Sequence, residues 1–162
     1  KKNEMVSIIG PSGSGKTTWI GHQMFDWTNT VIVSTDHHVE QYARSVGKTY
    51  SEVFKDYMPT AVDLMAKTAV DAFKNNKVVI WDQTSTTAKT RARKLRMAPA
   101  HYKKVAVVFK TPKADTHSKM LDRPGKKIPT DIVQDMIDKF EYPTVEESFD
   151  QIINANLIGL DQ

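Results

Sequence analysis

Four short β-branched runs, Met5 to Ile9, Val31 to Ser34, Val78 to Trp81 and Val105 to Phe109, alternate with stretches in which apolar residues return every three or four positions. A weaker fifth run lies around Ile152 to Leu160. The runs are continuous, not alternating, which is what strands buried on both faces require. Such strands separated by helical stretches predict βαβ units and a parallel sheet covered by helices. Helices are expected at about 16–26, 40–57, 60–74, 87–97, 114–122 and 131–141. The last would carry Ile132, Val133, Met136, Ile137 and Phe140 on one face after a Thr130 cap. The turn-rich piece Arg123 to Pro129 separates the final two and reads as a basic loop. The expectation is one α/β domain over residues 1–162, in three layers, with four to five parallel strands and helices on both faces.

The first strand runs into Gly10-Pro-Ser-Gly-Ser-Gly15-Lys16-Thr17, which fits G-x-x-x-x-G-K-[ST] at every fixed position and sits between a strand and a helix. Glycines at 10, 13 and 15 let the backbone turn its N–H groups onto a phosphate, and the head of the helix adds a positive dipole end. This predicts a P-loop of the NTPase class binding ATP. Gly10, Ser12, Gly13, Ser14, Gly15, Lys16, Thr17 and Thr18 would form the nucleotide cradle, with Lys16 bridging the β- and γ-phosphates and the Thr17 hydroxyl on Mg²⁺.

The fate of the γ-phosphate depends on other acids. Asp36 follows the second strand and Asp82 the third, so both belong to the carboxyl edge of a parallel sheet, where ligands of open α/β sheets bind. A carboxylate there can accept the proton of an attacking hydroxyl or hold Mg²⁺ and its water, and phosphoryl transfer asks for both tasks. It can also be a plain helix cap. Transfer needs cations over the phosphoryl oxygens as well. Arg123, Lys126 and Lys127, beside Gly125 and two prolines, suit a hinged basic lid over about 113–130.

Charge sharpens this picture. The net +4 of the 162 residues conceals a neutral stretch to residue 88, thirteen bases against two acids over 89–127 (+11), and a −7 tail. A block this basic suits a polyanion, either nucleotide phosphates or a nucleic-acid backbone. Within it Lys89, Arg91, Arg93, Lys94 and Arg96 crowd one short helix with no acid between 89 and 96, so Arg91 and Arg93 are expected to bind a nucleic-acid backbone. An apolar content of 40 % with 26 % charged residues excludes a disordered or fibrous chain. The absence of cysteine excludes disulfides and thiolate metal sites and suits a reducing cytoplasm. No run approaches the roughly 18 residues of a membrane span and no leader precedes the first strand, so neither membrane insertion nor secretion is expected. No obligate protein partner is legible.

Taken in order, the loop Gly10 to Trp19, Asp36 after strand two, Asp82-Gln-Thr after strand three with a basic helix behind it, and Leu121-Asp-Arg123 followed six residues on by Pro129 resemble the phage-type polynucleotide 5′-kinase family. The resemblance spans nearly the whole chain. It implies that Asp36 is the general base, that Lys16 and Thr17 serve phosphates and metal, that Arg123 is the lid arginine on the donor phosphates, and that Asp82 helps organise the acceptor. One departure matters: the family carries an arginine three residues after the base, gripping the acceptor phosphate, where this chain has Val39. The phosphatase domain of the phage repair enzyme is also not in this sequence. Both favour similarity to the phage kinases that phosphorylate 5-hydroxymethyluracil in DNA, whose acceptor hydroxyl is on a base and which would work in the host cytoplasm. DNA is favoured over RNA as partner. The alternatives are a 5′-OH polynucleotide kinase, a small-metabolite or nucleoside kinase, and a nucleotide-switched binding protein.

Other residues have competing readings. His37 and His38 either touch the acceptor or are solvated, and no third nitrogen or thiolate nearby supports zinc. Tyr42, Tyr50, Phe54 and Tyr57 either bracket a base or pack as core. Trp19 and Trp81 are expected in the core.

Overall fold

The computed structural model describes residues 3–11, 15–109, 135 and 138–155. Its sheet is built from β1 (Glu4–Ile9), β2 (Thr30–Val33), β3 (Val78–Asp82), β4 (Lys103–Val108) and β5 (Gln151–Asn154). All pairs are parallel, in the order β2-β3-β1-β4-β5. The central β1 is buried along its whole length, Glu4 and Ser7 included, which accounts for its apolar residues on both faces. Each fully buried Ile there stabilises the fold by about 1.5–3 kcal/mol. The first four strands begin and end within a few residues of expectation; the weak fifth run forms a strand over Gln151–Asn154 at one edge, and its expected continuation over 156–160 lies outside the described residues.

The chain leaves β1 on one side to form β2 and β3 and on the other to form β4 and β5. The carboxyl end of β1 is therefore the topological switch point, where such sheets open a ligand crevice. One face of the sheet packs Met5, Ile9, Val79, Trp81 and Ala106 against Met65, Ala69 and Phe73 of helix α3 (Tyr50–Lys74) and Leu95 of helix α4 (Ala88–Met97). The other packs Val6, Ile8, Ile80 and Val107 against Ile20 of helix α1 (Lys16–Gly21). A third apolar cluster joins Val39 and Ala43 of helix α2 (Thr35–Ser45) to Tyr50, Val53 and Ala61 of α3.

The helices differ from expectation in three places, the first being that α2 starts at Thr35 rather than about 40. The break expected beside Pro59 falls instead at Gly47, whose φ of 68° ends the α2 arm, and Thr49 with Glu52 then forms a capping box that starts α3. Pro59 lies inside α3. A proline there costs about 3 kcal/mol, offset by the long apolar stripe that the helix lays on the sheet. The α1 helix stops at Gly21 rather than 26, with His22 as its C-cap, and Asp26, accepting from the Thr28 N–H and hydroxyl, then turns the chain toward β2. The expected helices at 114–122 and 131–141 and the basic lid with Arg123, Lys126 and Lys127 lie outside the described residues, apart from 135 and 138–141. No helix among the described residues is long and apolar enough to cross a membrane.

Candidate active site

The site grows from the end of β1. Gly10 (φ 152°) donates its N–H to the Thr84 carbonyl at 3.0 Å, tying the start of the loop to the exit of β3. Ser12, Gly13 and Ser14 lie outside the described residues. The loop is resumed at Gly15, whose φ of 99° an L side chain rarely adopts and which caps α1. A Cβ there would meet Phe109 at 3.7 Å, an ordinary contact, so glycine is required by conformation and not by space. Lys16 follows as a buried side chain, while Thr17 and Thr18 are exposed. A loop glycine in this conformation, a lysine at the first helical position and an accessible hydroxyl beside it fit nucleotide phosphates and a divalent ion.

Asp36 is not in a loop. Ser34, at the end of β2, caps α2 by accepting the Asp36 N–H at 3.1 Å, so Asp36 stands in the first turn of the helix, half-buried. From the head of α3 the buried Tyr50 donates its hydroxyl to Asp36 Oδ1 at 2.6 Å, a short charge-assisted bond that fixes the carboxylate's orientation. Gln83 Oε1 accepts from the Thr35 N–H at 2.8 Å and the Thr35 hydroxyl at 3.0 Å. That amide bolts the start of α2 to the residue after Asp82, itself half-buried and in register with Ile8 of β1. Both acids thus belong to one hydrogen-bonded framework at the carboxyl edge of the sheet.

His37 is exposed and His38 half-buried, with their rings edge-to-face at 5.5 Å. Burial, and then the neighbouring His37, lower the His38 imidazole below its ordinary value. Among the described residues no group of three His, Cys, Asp or Glu stands close enough to hold a metal by itself.

The basic helix α4 divides into two populations. Arg91 is only 1 % exposed: its Nε and Nη2 bind the two oxygens of Glu147 at 2.8 and 3.0 Å, and Nη1 donates to the Ser85 carbonyl at 2.9 Å. The expected backbone-binding role of Arg91 is therefore corrected. The acid it lacks nearby in sequence arrives from 56 residues on, in the 3-10 turn Val145–Glu147 that leads into β5. Arg93 is exposed, as are Lys89 and Arg96. Lys94 stands 5.9 Å from the ring centroid of the buried Trp81. Burial first, then the positive charges of Arg93, Arg91 and Lys16, push its ammonium down to about 8.

The tyrosines pack mostly on one another. Tyr42 and Tyr57 stack at 4.0 Å and 2°, and Tyr50 and Phe54 lie 5.4 Å apart. Trp81 is core and Trp19 packs partly buried against the α1-side layer. A separate cavity of about 1140 Å³ opens among Asn3, Thr30, Asn76, Val78 and His101, at the amino ends of the strands and so at the opposite edge from the phosphate loop. Glu147 carries no signal in the sequence, and Tyr50, Gln83 and Lys94, though each lies in a segment marked there, are not assigned these roles by it. A capping box just before Tyr50 and the lack of acids in α4 were the only local signals.

The strand order, the parallel pairing and the glycine-bent loop after the central strand define a P-loop domain with the kinase-type α/β fold. The AAA_33 family, an AAA domain, matches residues 5–143, and the chain belongs to that family. No curated protein matches it. Solved structures with a similar fold include a chain of the Pnkp1/Rnl/Hen1 RNA repair complex, with TM-score 0.67 at 20% identity over 92% of this chain. This chain spans 47% of that one, less than half its length. A candidate kinase from Chloroflexus aurantiacus has TM-score 0.64 at 13% identity, covering 95% of this chain and 88% of its own. A gluconokinase from Sinorhizobium meliloti 1021 has TM-score 0.54 at 15% identity, covering 94% and 81%. At these identities the likeness is one of fold.

Proposed function

We propose that the domain transfers the γ-phosphoryl group of ATP to a hydroxyl of nucleic acid, with the hydroxymethyl group of 5-hydroxymethyluracil in phage DNA as acceptor. The observation that carries the phosphotransferase reading is the Asp36 carboxylate, held by Tyr50 in the first turn of α2 at the sheet edge that also bears the phosphate loop. In the reaction the acceptor oxygen bonds to the γ-phosphorus, the bond to the bridging oxygen of ADP breaks, and the hydroxyl proton passes to Asp36. Tyr50 keeps that carboxylate aimed while the proton moves. Lys16 binds phosphate oxygens from the head of α1, and Thr17 and Asp82 are the oxygens available to Mg²⁺. When bound, that ion neutralises charge on the β- and γ-phosphates.

The nucleic-acid acceptor is supported by the exposed cations of α4, Lys89, Arg93 and Arg96. A base-borne hydroxyl is supported by Val39, which is fully buried between α2 and α3 and presents nothing to an acceptor phosphate. Withdrawal of Arg91 from the surface favours a second reading, a small-metabolite kinase, because it thins the basic face. Labelled γ-phosphate from ATP, offered to three duplexes, tests these readings: 5′-OH ends, blocked ends, and blocked ends with internal 5-hydroxymethyluracil. Label on the base is expected. Label only at 5′-OH ends would make the protein an end kinase. No labelled DNA, with ATP turnover stimulated by sugars or nucleosides, would overturn the nucleic-acid acceptor.

A further inference from the structure

We propose that Lys94 is a second phosphate-binding cation of the site, acting beside Lys16 on the γ-phosphoryl oxygens of the bound nucleotide. The inference rests on the phosphate-loop reading above. Lys94 projects from α4, the helix that follows the Asp82 edge, and its charge is felt by Lys16 at the head of α1. It has no carboxylate partner among the described residues. Its one favourable described contact is the face of Trp81 at 5.9 Å, a weak cation–π interaction at that range. An ammonium in this position is crowded by Arg91, Arg93 and Lys16 and partly desolvated, an arrangement that is costly unless an anion joins it.

A second observation points the same way. The indole Nε1 of Trp81, beneath Lys94, is buried and has no hydrogen-bond acceptor among the described residues, although more than nine in ten buried polar groups find one. Ser85 Oγ, three residues past Asp82, is likewise buried and unpartnered. Hydrogen-bond donors without acceptors thus gather with an unpaired cation at the carboxyl end of β3, beside the phosphate loop. The Arg91 guanidinium is turned away into Glu147 and Ser85, whereas Lys94 lies over Trp81, the residue before Asp82 at the edge that bears the loop. A tetrahedral polyanion has the charge and the acceptors that this cluster lacks. The γ-phosphoryl group is the anion of this chemistry that a bound nucleotide would bring, Lys16 being the loop lysine that serves the β- and γ-phosphates.

The test is a comparison of two nucleotides on one variant. Lys94→Gln keeps the polarity and, one atom short, most of the length of the side chain but removes its charge. Binding of a non-hydrolysable ATP analogue and of ADP, each with Mg²⁺, is measured by calorimetry on wild type, Lys94→Gln, Lys94→Arg and Lys16→Ala, with thermal midpoints as a control on folding. The analogue is expected to bind Lys94→Gln roughly ten- to a hundredfold more weakly while ADP binds as before, the loss expected of one hydrogen bond between charged groups. Lys94→Arg should recover most of that loss. Lys16→Ala should weaken both nucleotides. Equal weakening of ATP analogue and ADP in Lys94→Gln, or no change in either, would overturn the γ-phosphate assignment. Weakening of DNA binding with both nucleotides unaffected would reassign Lys94 to the acceptor backbone. If the wild type binds neither nucleotide, it is the phosphate-loop reading that fails, a result separate from all of these.

Discussion

Replacing Arg91 by Ala should damage the fold, not the surface. The guanidinium makes two bonds to the Glu147 carboxylate and one to the Ser85 carbonyl while 1 % exposed, and the Glu147 side chain is 14 % exposed. Removing one partner of a buried pair costs about 3–5 kcal/mol, chiefly because the remaining charge is stranded. Glu147 keeps the Thr144 N–H at 3.0 Å and a small window to water, which places the expected cost near the lower end, about 3 kcal/mol. For a domain of this length, each kcal/mol moves Tm by about 2–4 °C, so a fall of roughly 6–12 °C is predicted. Urea unfolding should show a lower midpoint with an unchanged slope. Removing both charges in Arg91→Met/Glu147→Leu should cost less than either single change, the signature of a pair whose worth lies in not being broken. An Arg91→Ala protein that melts within about a degree of wild type and binds nucleic acid more weakly would refute this reasoning and return the arginine to the surface.

Tyr50→Phe removes the hydroxyl that holds Asp36 Oδ1; kcat should drop roughly tenfold or more with KM for ATP little changed, and steady-state kinetics with melting as a control would reveal it. Burial first, then the positive charges of Arg93, Arg91 and Lys16, lower the Lys94 ammonium to about 8 in the folded protein from 10.5 in the free side chain, so the unfolded chain binds more protons between those values. This group therefore makes stability rise as pH rises through that window, and the rise should be shallower in Lys94→Gln when urea midpoints are compared at pH 7.5 and 9.5. Gly15→Ala should cost about 1–2 kcal/mol through its φ of 99°, without a clash at Phe109, and should abolish ATP binding by distorting the loop; calorimetry and melting curves separate the two effects.

Much of the framework is written in short windows of the chain. The apolar run in β1, broken only by Ser7, the glycines at 10 and 15 and the lysine after them each depend on neighbours within a few residues, so parallel strands, phosphate loop and helix start are legible without a structure. The capping box of Thr49 and Glu52 is equally local, yet Pro59 is the stronger helix breaker on paper. Only the packing of the α3 stripe on the sheet decides that the helix passes through it. The same distinction separates the site residues. Asp36 and Asp82 are marked by following strands, but the Tyr50 that orients Asp36 lies 14 residues away and comes from a different helix. Arg91, Arg93 and Lys94 are alike in sequence, three cations in one basic helix. Their separate fates, a buried strut, a solvated charge and a desolvated ammonium over Trp81, follow from which direction each side chain leaves α4 and what the sheet and the turn before β5 bring to meet it. Hydrophobic periodicity and turn chemistry are local quantities, whereas the partner that satisfies a buried charge is chosen by the assembled fold.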